Sequence, residues 1–212
     1  MIPAAISEYL DRNQARYSVL AHPTAYTAQE EAAAAHIPGR EWAKTVVCFA
    51  DDQPVLAVVP APSAVDLNRL RRTAQAHSVR LAHEKEFASL YRDCELGAIP
   101  PLGPIFGQRV FVDEQLTRDA EVAFSAGSHH DTIRMPYAEF ERLVRPTVAD
   151  IAMRSSASVM PRSTRVTDPV CGDDVGDAGV TWRTEHRGKT YYFCCQSCKM
   201  EFDDNPYAYA ER

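Results

Sequence analysis

Cysteines cluster near the C-terminus, and their spacing limits what that part of the chain can become. Four of the six cysteines lie in two short segments, DPVCG at 168–172 and YYFCCQSC at 191–198. Thiols at this density and spacing are typical of a site for a soft metal ion. Because a segment of roughly fifty residues buries little apolar surface, a bound metal would help to stabilise it. The sequence therefore predicts a small metal-stabilised domain here.

Charge and hydropathy exclude several classes of protein. The net charge is −6, which argues against a broad basic surface for long nucleic acid, so no DNA partner is expected. No apolar run approaches the ~20 residues that span a bilayer, so no membrane partner is expected either. The N-terminus, MIPAAISE, lacks the basic region of a signal peptide. A cytoplasmic location with reduced thiols is the resulting prediction.

Residues 1–152 predict a mixed α/β domain. Thr27-Ala28-Gln29-Glu30 is a capping box that begins an alanine-rich helix. Two β-rich segments follow, at 44–50 and 55–60, and the turn residues between them predict a hairpin. Further helical and strand patterns alternate to the end of this region, within the usual size of one domain.

A linker and a second domain follow. Residues 153–164 are rich in serine and show no period, which predicts a linker that leaves the two domains independent. Residues 165–212 predict a small domain, a β-hairpin followed by a short helix. The fold class predicted for the chain is therefore α/β with a small appended β-hairpin and helix domain.

Three features of the first domain could carry chemistry. Lys44 begins an apolar strand, where a lysine is more often solvated than functional. The segment GAIPPLG at 97–103 fixes a backbone whose N–H groups can approach a ligand, although it could be a plain connection. The segment SAGSHHD at 125–131 follows an apolar strand, where ligand pockets are often built.

Together these segments resemble the YbaK-type aminoacyl-tRNA deacylases, which include the editing domain of bacterial prolyl-tRNA synthetase. The likeness rests on Lys44-Thr45, on DCELGAIPPLG at 93–103 and on FSAGSH at 124–129, and it extends from about residue 5 to 152. It implies a mixed-sheet editing fold. It also implies hydrolysis, in trans, of the ester that joins a wrong amino acid to the 3′ end of a tRNA.

The resemblance also implies roles for individual residues. The tetrahedral oxyanion of ester hydrolysis needs fixed donors, which glycine-rich backbone can supply, and the water is activated by a ribose hydroxyl of the substrate. No cofactor is needed for this chemistry, and Cys48 and Cys94 are expected to be core thiols. The catalytic residues implied are Lys44, Gly97 and Gly127. The substrate-binding residues implied are Thr45, Ala98, Gly103, Ser125, Ser128 and His129.

The C-terminal segment resembles the YHS domain, a module associated with heavy-metal handling. The resemblance rests on Asp168–Gly172, 191–194, Cys198-Lys199, Phe202, Pro206 and Tyr209. The predicted ligands are Cys171, Cys194 and Cys198, with Cys195 as the candidate fourth. Four thiolates would favour Zn(II), whereas three with Cys195 turned away would favour Cu(I). Cysteines packed as small core residues, with no metal, are the alternative.

The sequence thus favours an enzyme, a trans-editing deacylase for mischarged aminoacyl-tRNA that carries a metal-binding module. Its expected partners are the tRNA 3′ acceptor end and an aminoacyl-tRNA synthetase. One alternative is a copper or zinc sensor or chaperone, in which the C-terminal module is the functional part. The other is a binder that holds the aminoacyl end without cleaving it. Retention of Lys44 and of both glycine segments favours the enzyme.

Overall fold

The placement of the chain comes from a computed structural model, which describes residues 2–83, 85–86, 90–153, 166–171, 174–175, 182–193 and 196–209. No helix within these ranges combines the length and the hydropathy needed to cross a bilayer.

A five-stranded mixed sheet forms the centre of the N-terminal region. Its spatial order is β5 (Val79–Leu81), β2 (Ala43–Ala50), β3 (Gln53–Pro60), β6 (Arg109–Asp113) and β9 (Thr147–Ala149). β2 is antiparallel to β3 and β5, whereas β6 is parallel to β3 and β9. Asp51 and Asp52 both have positive φ, as a tight hairpin between β2 and β3 requires. The predicted mixed α/β class is confirmed.

A second, antiparallel sheet packs against the first. It contains β1 (Ser18–Ala21), β8 (Asp131–Pro136) and β7 (Glu121–Ser128), in that spatial order. A short ladder joins β4 (Ala64–Val65) to β10 (Ala152–Met153). The main core lies between the two sheets and includes residues from α1 (Ala4–Arg12) and α4 (Tyr137–Val144). A second core cluster, which includes Leu70 and Ala74 of α3 (Leu67–Ala74), covers the other face of the larger sheet.

The helix α2 (Ala28–Ala34) begins at the predicted capping box. The Thr27 hydroxyl accepts a hydrogen bond from the Glu30 backbone at 3.2 Å, and the Glu30 carboxylate accepts one from the Thr27 backbone at 3.0 Å. These two bonds satisfy backbone donors that the first helical turn would otherwise leave unpaired.

The C-terminal region is a set of short strands followed by helices. β11 (Val166–Thr167) pairs with β12 (Asp174–Val175), and β13 (Trp182–His186) pairs with β14 (Lys189–Phe193) as the predicted hairpin. The helices α5 (Gln196–Asp204) and α6 (Pro206–Tyr209) follow. Tyr191, Phe193 and Phe202 form most of the small apolar core.

This small core extends onto the N-terminal domain. Ala33 of α2 is buried in the same apolar cluster as Tyr191, Phe193, Cys198 and Phe202. The two domains therefore contact each other at this surface. Serine-rich composition describes the connection and not the faces that it joins, and the uncoupling of the two domains stays a prediction. Apart from Met153, the predicted linker lies outside the described residues.

Candidate functional site

A buried carboxylate lies at the centre of the candidate site. Glu31 on α2 is 3% exposed. The Ser125 hydroxyl donates to its Oε2 at 2.5 Å, and its Oε1 lies 3.1 Å from His129 Nδ1. Burial raises the pKa of Glu31, while the hydrogen bonds from Ser125 and His129 oppose that rise. Two segments that are distant in sequence therefore meet at one carboxylate.

His129 is bound through both of its ring nitrogens. Nε2 lies 2.8 Å from the Leu96 carbonyl oxygen, which accepts only, so Nε2 carries a hydrogen. Nδ1 shares a proton with Glu31, whichever of the two holds it. Because neither nitrogen offers a lone pair to a substrate, His129 in this arrangement positions its neighbours and is not a general base.

Glu95 links the two glycine segments. Its backbone N–H donates to the Gly127 carbonyl at 2.9 Å, and its Oε2 accepts from the His129 backbone at 2.8 Å. Gly97 has φ +94°, and a Cβ added there would lie 3.4 Å from His129 Cε1. The loop that begins at Gly97 therefore lies directly against the turn that carries His129.

Gly127 is confined by packing from the side of α1. Its φ is +93°, and an added Cβ would come within 2.8 Å of Pro3 Cγ and 3.0 Å of Ile6 Cδ1. A side chain at this position would therefore disturb the core before it met any substrate. The glycine is required by the fold, and its proposed catalytic role rests on its backbone alone.

Other predicted residues of the two glycine segments are held in place locally. Ala98 is buried and its N–H donates to the Glu95 carbonyl at 3.0 Å. A Cβ at Gly103 would lie 2.5 Å from the Gln108 carbonyl oxygen, so close packing explains that glycine. The Ser128 hydroxyl donates to Asp131 Oδ2 at 3.0 Å. Close packing and local hydrogen bonds therefore fix the backbone at these three positions.

Lys44 and Thr45 occupy successive positions on β2, so their side chains leave opposite faces of the strand. The Lys44 ammonium donates to the carbonyls of Ala61, at 3.0 Å, and of Ser63. Burial lowers its pKa. The Thr45 hydroxyl is buried and makes no hydrogen bond within the described part of the chain.

Two exposed side chains with large apolar surface lie beside this buried network. Tyr26 is 74% exposed, and the centroid of its ring lies 5.1 Å from that of His129. Leu96, whose carbonyl binds His129, is 52% exposed. An exposed aromatic ring beside a buried polar network offers a stacking surface.

The two cysteines of the N-terminal domain are unsuited to nucleophilic catalysis. Burial raises the pKa of Cys48 to about 12 and that of Cys94 to about 11. Both thiols are therefore protonated at neutral pH, whereas nucleophilic attack requires the thiolate. This agrees with their expected role as structural thiols.

A second cluster of possible ligands lies in the C-terminal region. Ligand atoms of Asp168, Cys171 and Cys198 all lie within 4.8 Å of one another. Asp168 and Cys198 are buried. The Asp168 carboxylate also accepts from the Val170 backbone at 2.9 Å, which orients the loop that carries Cys171. Cys194 and Cys195, the other two predicted ligands, lie outside the described residues.

The sequence analysis missed Glu31, Glu95 and Asp168. Glu31 stands directly before a run of four alanines, and a charge at the edge of an apolar helical segment was the signal available for it. Asp168 belongs to the same DPVCG segment as Cys171. Glu95 lies inside the segment 93–103 but is exposed, and only the folded chain shows what its backbone and carboxylate bind.

Comparison with known proteins gives two family matches. Residues 22–143 match the aminoacyl-tRNA editing domain, and residues 166–212 match the YHS domain. No curated protein sequence matches the chain.

Three solved structures are similar in fold. A protein proposed as a trans-editing enzyme for prolyl tRNA synthetase is 24% identical over 71% of this chain and 96% of its own, with a TM-score of 0.63. A scaffold protein used for computational epitope grafting is 22% identical, with the same coverages and TM-score. The hypothetical protein APE2540 is 20% identical over 70% of this chain and 99% of its own, also with a TM-score of 0.63. Such identities show a shared fold alone.

Proposed function

Because the chain belongs to the aminoacyl-tRNA editing domain family and carries a C-terminal YHS domain, we propose that it is a trans-editing hydrolase of mischarged aminoacyl-tRNA. The observation that carries the proposal is the meeting of Glu31, His129 and the Gly97 loop at one buried point. Its substrate is the ester at the tRNA 3′ end, and its expected second partner is the synthetase that makes the error.

The proposed mechanism uses the backbone more than the side chains. Attack on the ester produces a tetrahedral oxyanion, which N–H groups of the Gly97 and Gly127 segments would stabilise. His129 has no lone pair to offer. A ribose hydroxyl of the substrate, the group that the family resemblance implies, accepts the proton of the attacking water and passes its own proton to the departing ester oxygen as the ester bond breaks. Glu31 and His129 then serve to hold the two segments at a fixed separation.

Lys44 is proposed to bind the terminal phosphate or ribose. An ammonium group has three donors, and two of those on Lys44 are used by Ala61 and Ser63. The third remains for the substrate, and the two carbonyls hold the charge in a fixed position.

We expect Lys44→Ala to lower kcat/KM well over tenfold, because one charge-assisted contact in a pocket is worth about 2 kcal/mol or more. Single-turnover deacylation of a panel of mischarged tRNAs measures this. Lys85→Ala, which removes an exposed lysine, is the matched control. Full activity of Lys44→Ala would remove Lys44 from the mechanism. Absence of turnover by the unaltered protein with every tRNA would favour a binder.

Tyr26 is proposed to stack on the terminal adenine. We expect Tyr26→Ala to raise KM about tenfold with little change in kcat, because stacking of a base on an aromatic ring contributes ~1–3 kcal/mol. Tyr26→Phe keeps the ring and should behave as the unaltered protein. A fall in kcat at constant KM would instead mean that Tyr26 acts through its contact with His129.

We propose that the C-terminal domain binds one metal ion through Asp168, Cys171 and Cys198. Two thiolates and a carboxylate fit Zn(II), which accepts oxygen as well as sulfur, better than Cu(I), which favours sulfur alone. Cys194 and Cys195 are the candidates for the remaining position. A metal sensor or chaperone is the second candidate function for the chain, because three possible ligands lie close together and two of them, Asp168 and Cys198, are buried.

A further inference from the structure

The thiol cluster lies where the two domains meet. Cys171 and Cys198 line one side of a cavity of about 10 Å³, and Gln29, Ala32 and Ala33 of α2 line the other. A space of this size holds about one water molecule, so the two sides are nearly in contact. The N-terminal domain therefore supplies one wall of the site that holds the cysteines.

Three successive residues of α2 connect the editing site to the C-terminal core. Because successive helical residues are rotated by about 100°, their side chains point in different directions. Glu31 points to Ser125 and His129. Ala32 packs with Trp42. Ala33 packs with the C-terminal core, which includes Cys198.

The short length of α2 makes its position dependent on these contacts. It has seven residues, whereas isolated helices shorter than about 12–15 residues are marginal in water. A change that orders the residues packed on Ala33 will therefore also stabilise the helix that carries Glu31.

We propose that the cluster of Asp168, Cys171 and Cys198 is an interdomain site, and that a thiophilic metal ion bound there holds α2 and Glu31 in the editing arrangement. Binding at the two sites is then reciprocal, so each ligand raises the affinity for the other by the same factor. The significance of Glu31 rests on the proposed function, but the placement of α2 can be measured without any tRNA.

Hydrogen exchange on the full-length protein tests the proposal, with Zn(II) as the probe. The reporters are the backbone amides of Glu31, Ala35 and Ile37, which donate to carbonyls within or just before α2. One equivalent of Zn(II) should slow their exchange at least fivefold relative to the chelated protein. Exchange slowed only within 166–209, or a failure to bind zinc, would overturn the proposal.

Two variants and a control show whether the effect of zinc reaches α2 through Cys171 and Ala33. Ala33→Arg places a charged side chain in the contact and should abolish the effect of zinc on α2. Ala34→Arg, the same change one residue away and outside the Ala33 cluster, should retain it. Cys171→Ser leaves the sequence of α2 unaltered and should also abolish the effect of zinc on α2. This second variant keeps the test valid if the Ala33→Arg protein does not fold. A zinc effect on α2 that survives in a folded Ala33→Arg protein and in Cys171→Ser would contradict the proposal.

Deacylation assays on the same samples distinguish a failure of this coupling from a failure of the proposed function. Zinc should raise kcat/KM for deacylation in the unaltered protein and in Ala34→Arg only. If exchange responds to zinc but no tRNA is deacylated, the coupling stands and the proposed function fails. If deacylation proceeds and α2 does not respond, the coupling alone fails.

Discussion

Replacing Glu31 by alanine should lower kcat/KM for deacylation at least a hundredfold. The change leaves the hydroxyl of Ser125 and Nδ1 of His129 without their hydrogen-bond partner in a buried site. Unpaired buried groups of this kind cost ~1–3 kcal/mol each, and a hundredfold corresponds to about 2.7 kcal/mol. With its anchor lost, His129 no longer holds the Leu96 carbonyl and the loop beside it in register with the turn that carries Gly127.

Conservative and neighbouring variants separate this effect from loss of folding. Glu31→Gln keeps the volume and one acceptor oxygen, so its activity should lie between those of Glu31→Ala and the unaltered protein. Glu30→Gln, on the preceding residue, keeps an acceptor for the capping box and should be close to normal. Thermal unfolding of each variant sets a temperature at which all are folded. A folded Glu31→Ala protein with activity within threefold of normal would remove Glu31 from the site.

Local features of the fold could be predicted from the sequence because they depend on neighbouring residues. The capping box at Thr27 and Glu30 uses two residues three positions apart, and both of its hydrogen bonds are present. The hairpin of β2 and β3 follows from apolar patterning and turn residues in the same short segment. Residue spacing alone carries this information.

The role of Glu31 could not be predicted, because its partners are distant in the chain. Ser125 and His129 are 94 and 98 residues away, and only the packing of α2 beside the end of β7 brings them to one carboxylate. The docking of Ala33 on the C-terminal core is similar, since it joins residues on either side of the linker. Gly127 illustrates the same limit, because its tight contacts come from Pro3 and Ile6.

Replacing Cys171 and Cys198 together by serine should lower the affinity for Zn(II) at least a thousandfold. Thiolates are strong ligands for zinc, and structural sites bind it with ~10–16 kcal/mol. A thousandfold loss corresponds to about 4 kcal/mol, which is a modest share of that free energy for two ligands. Competition with a chromophoric chelator measures the affinity. Cys94→Ser, which removes a thiol outside the cluster, should leave it unchanged. The affinity should also fall as pH decreases, because thiols must lose protons to bind.

The Asp168→Asn variant then distinguishes the two candidate metals. Asparagine keeps an oxygen that can accept from the Val170 backbone, so the turn before Cys171 is preserved, but the negative charge is lost. If Asp168 is a ligand, the affinity of the variant protein for Zn(II) should be tenfold or more below that of the unaltered protein. The affinity of the variant protein for Cu(I) should change little, because Cu(I) favours sulfur over carboxylate oxygen. Unchanged zinc affinity would instead show that Asp168 only shapes the loop, and that Cys194 or Cys195 completes a site made of thiolates.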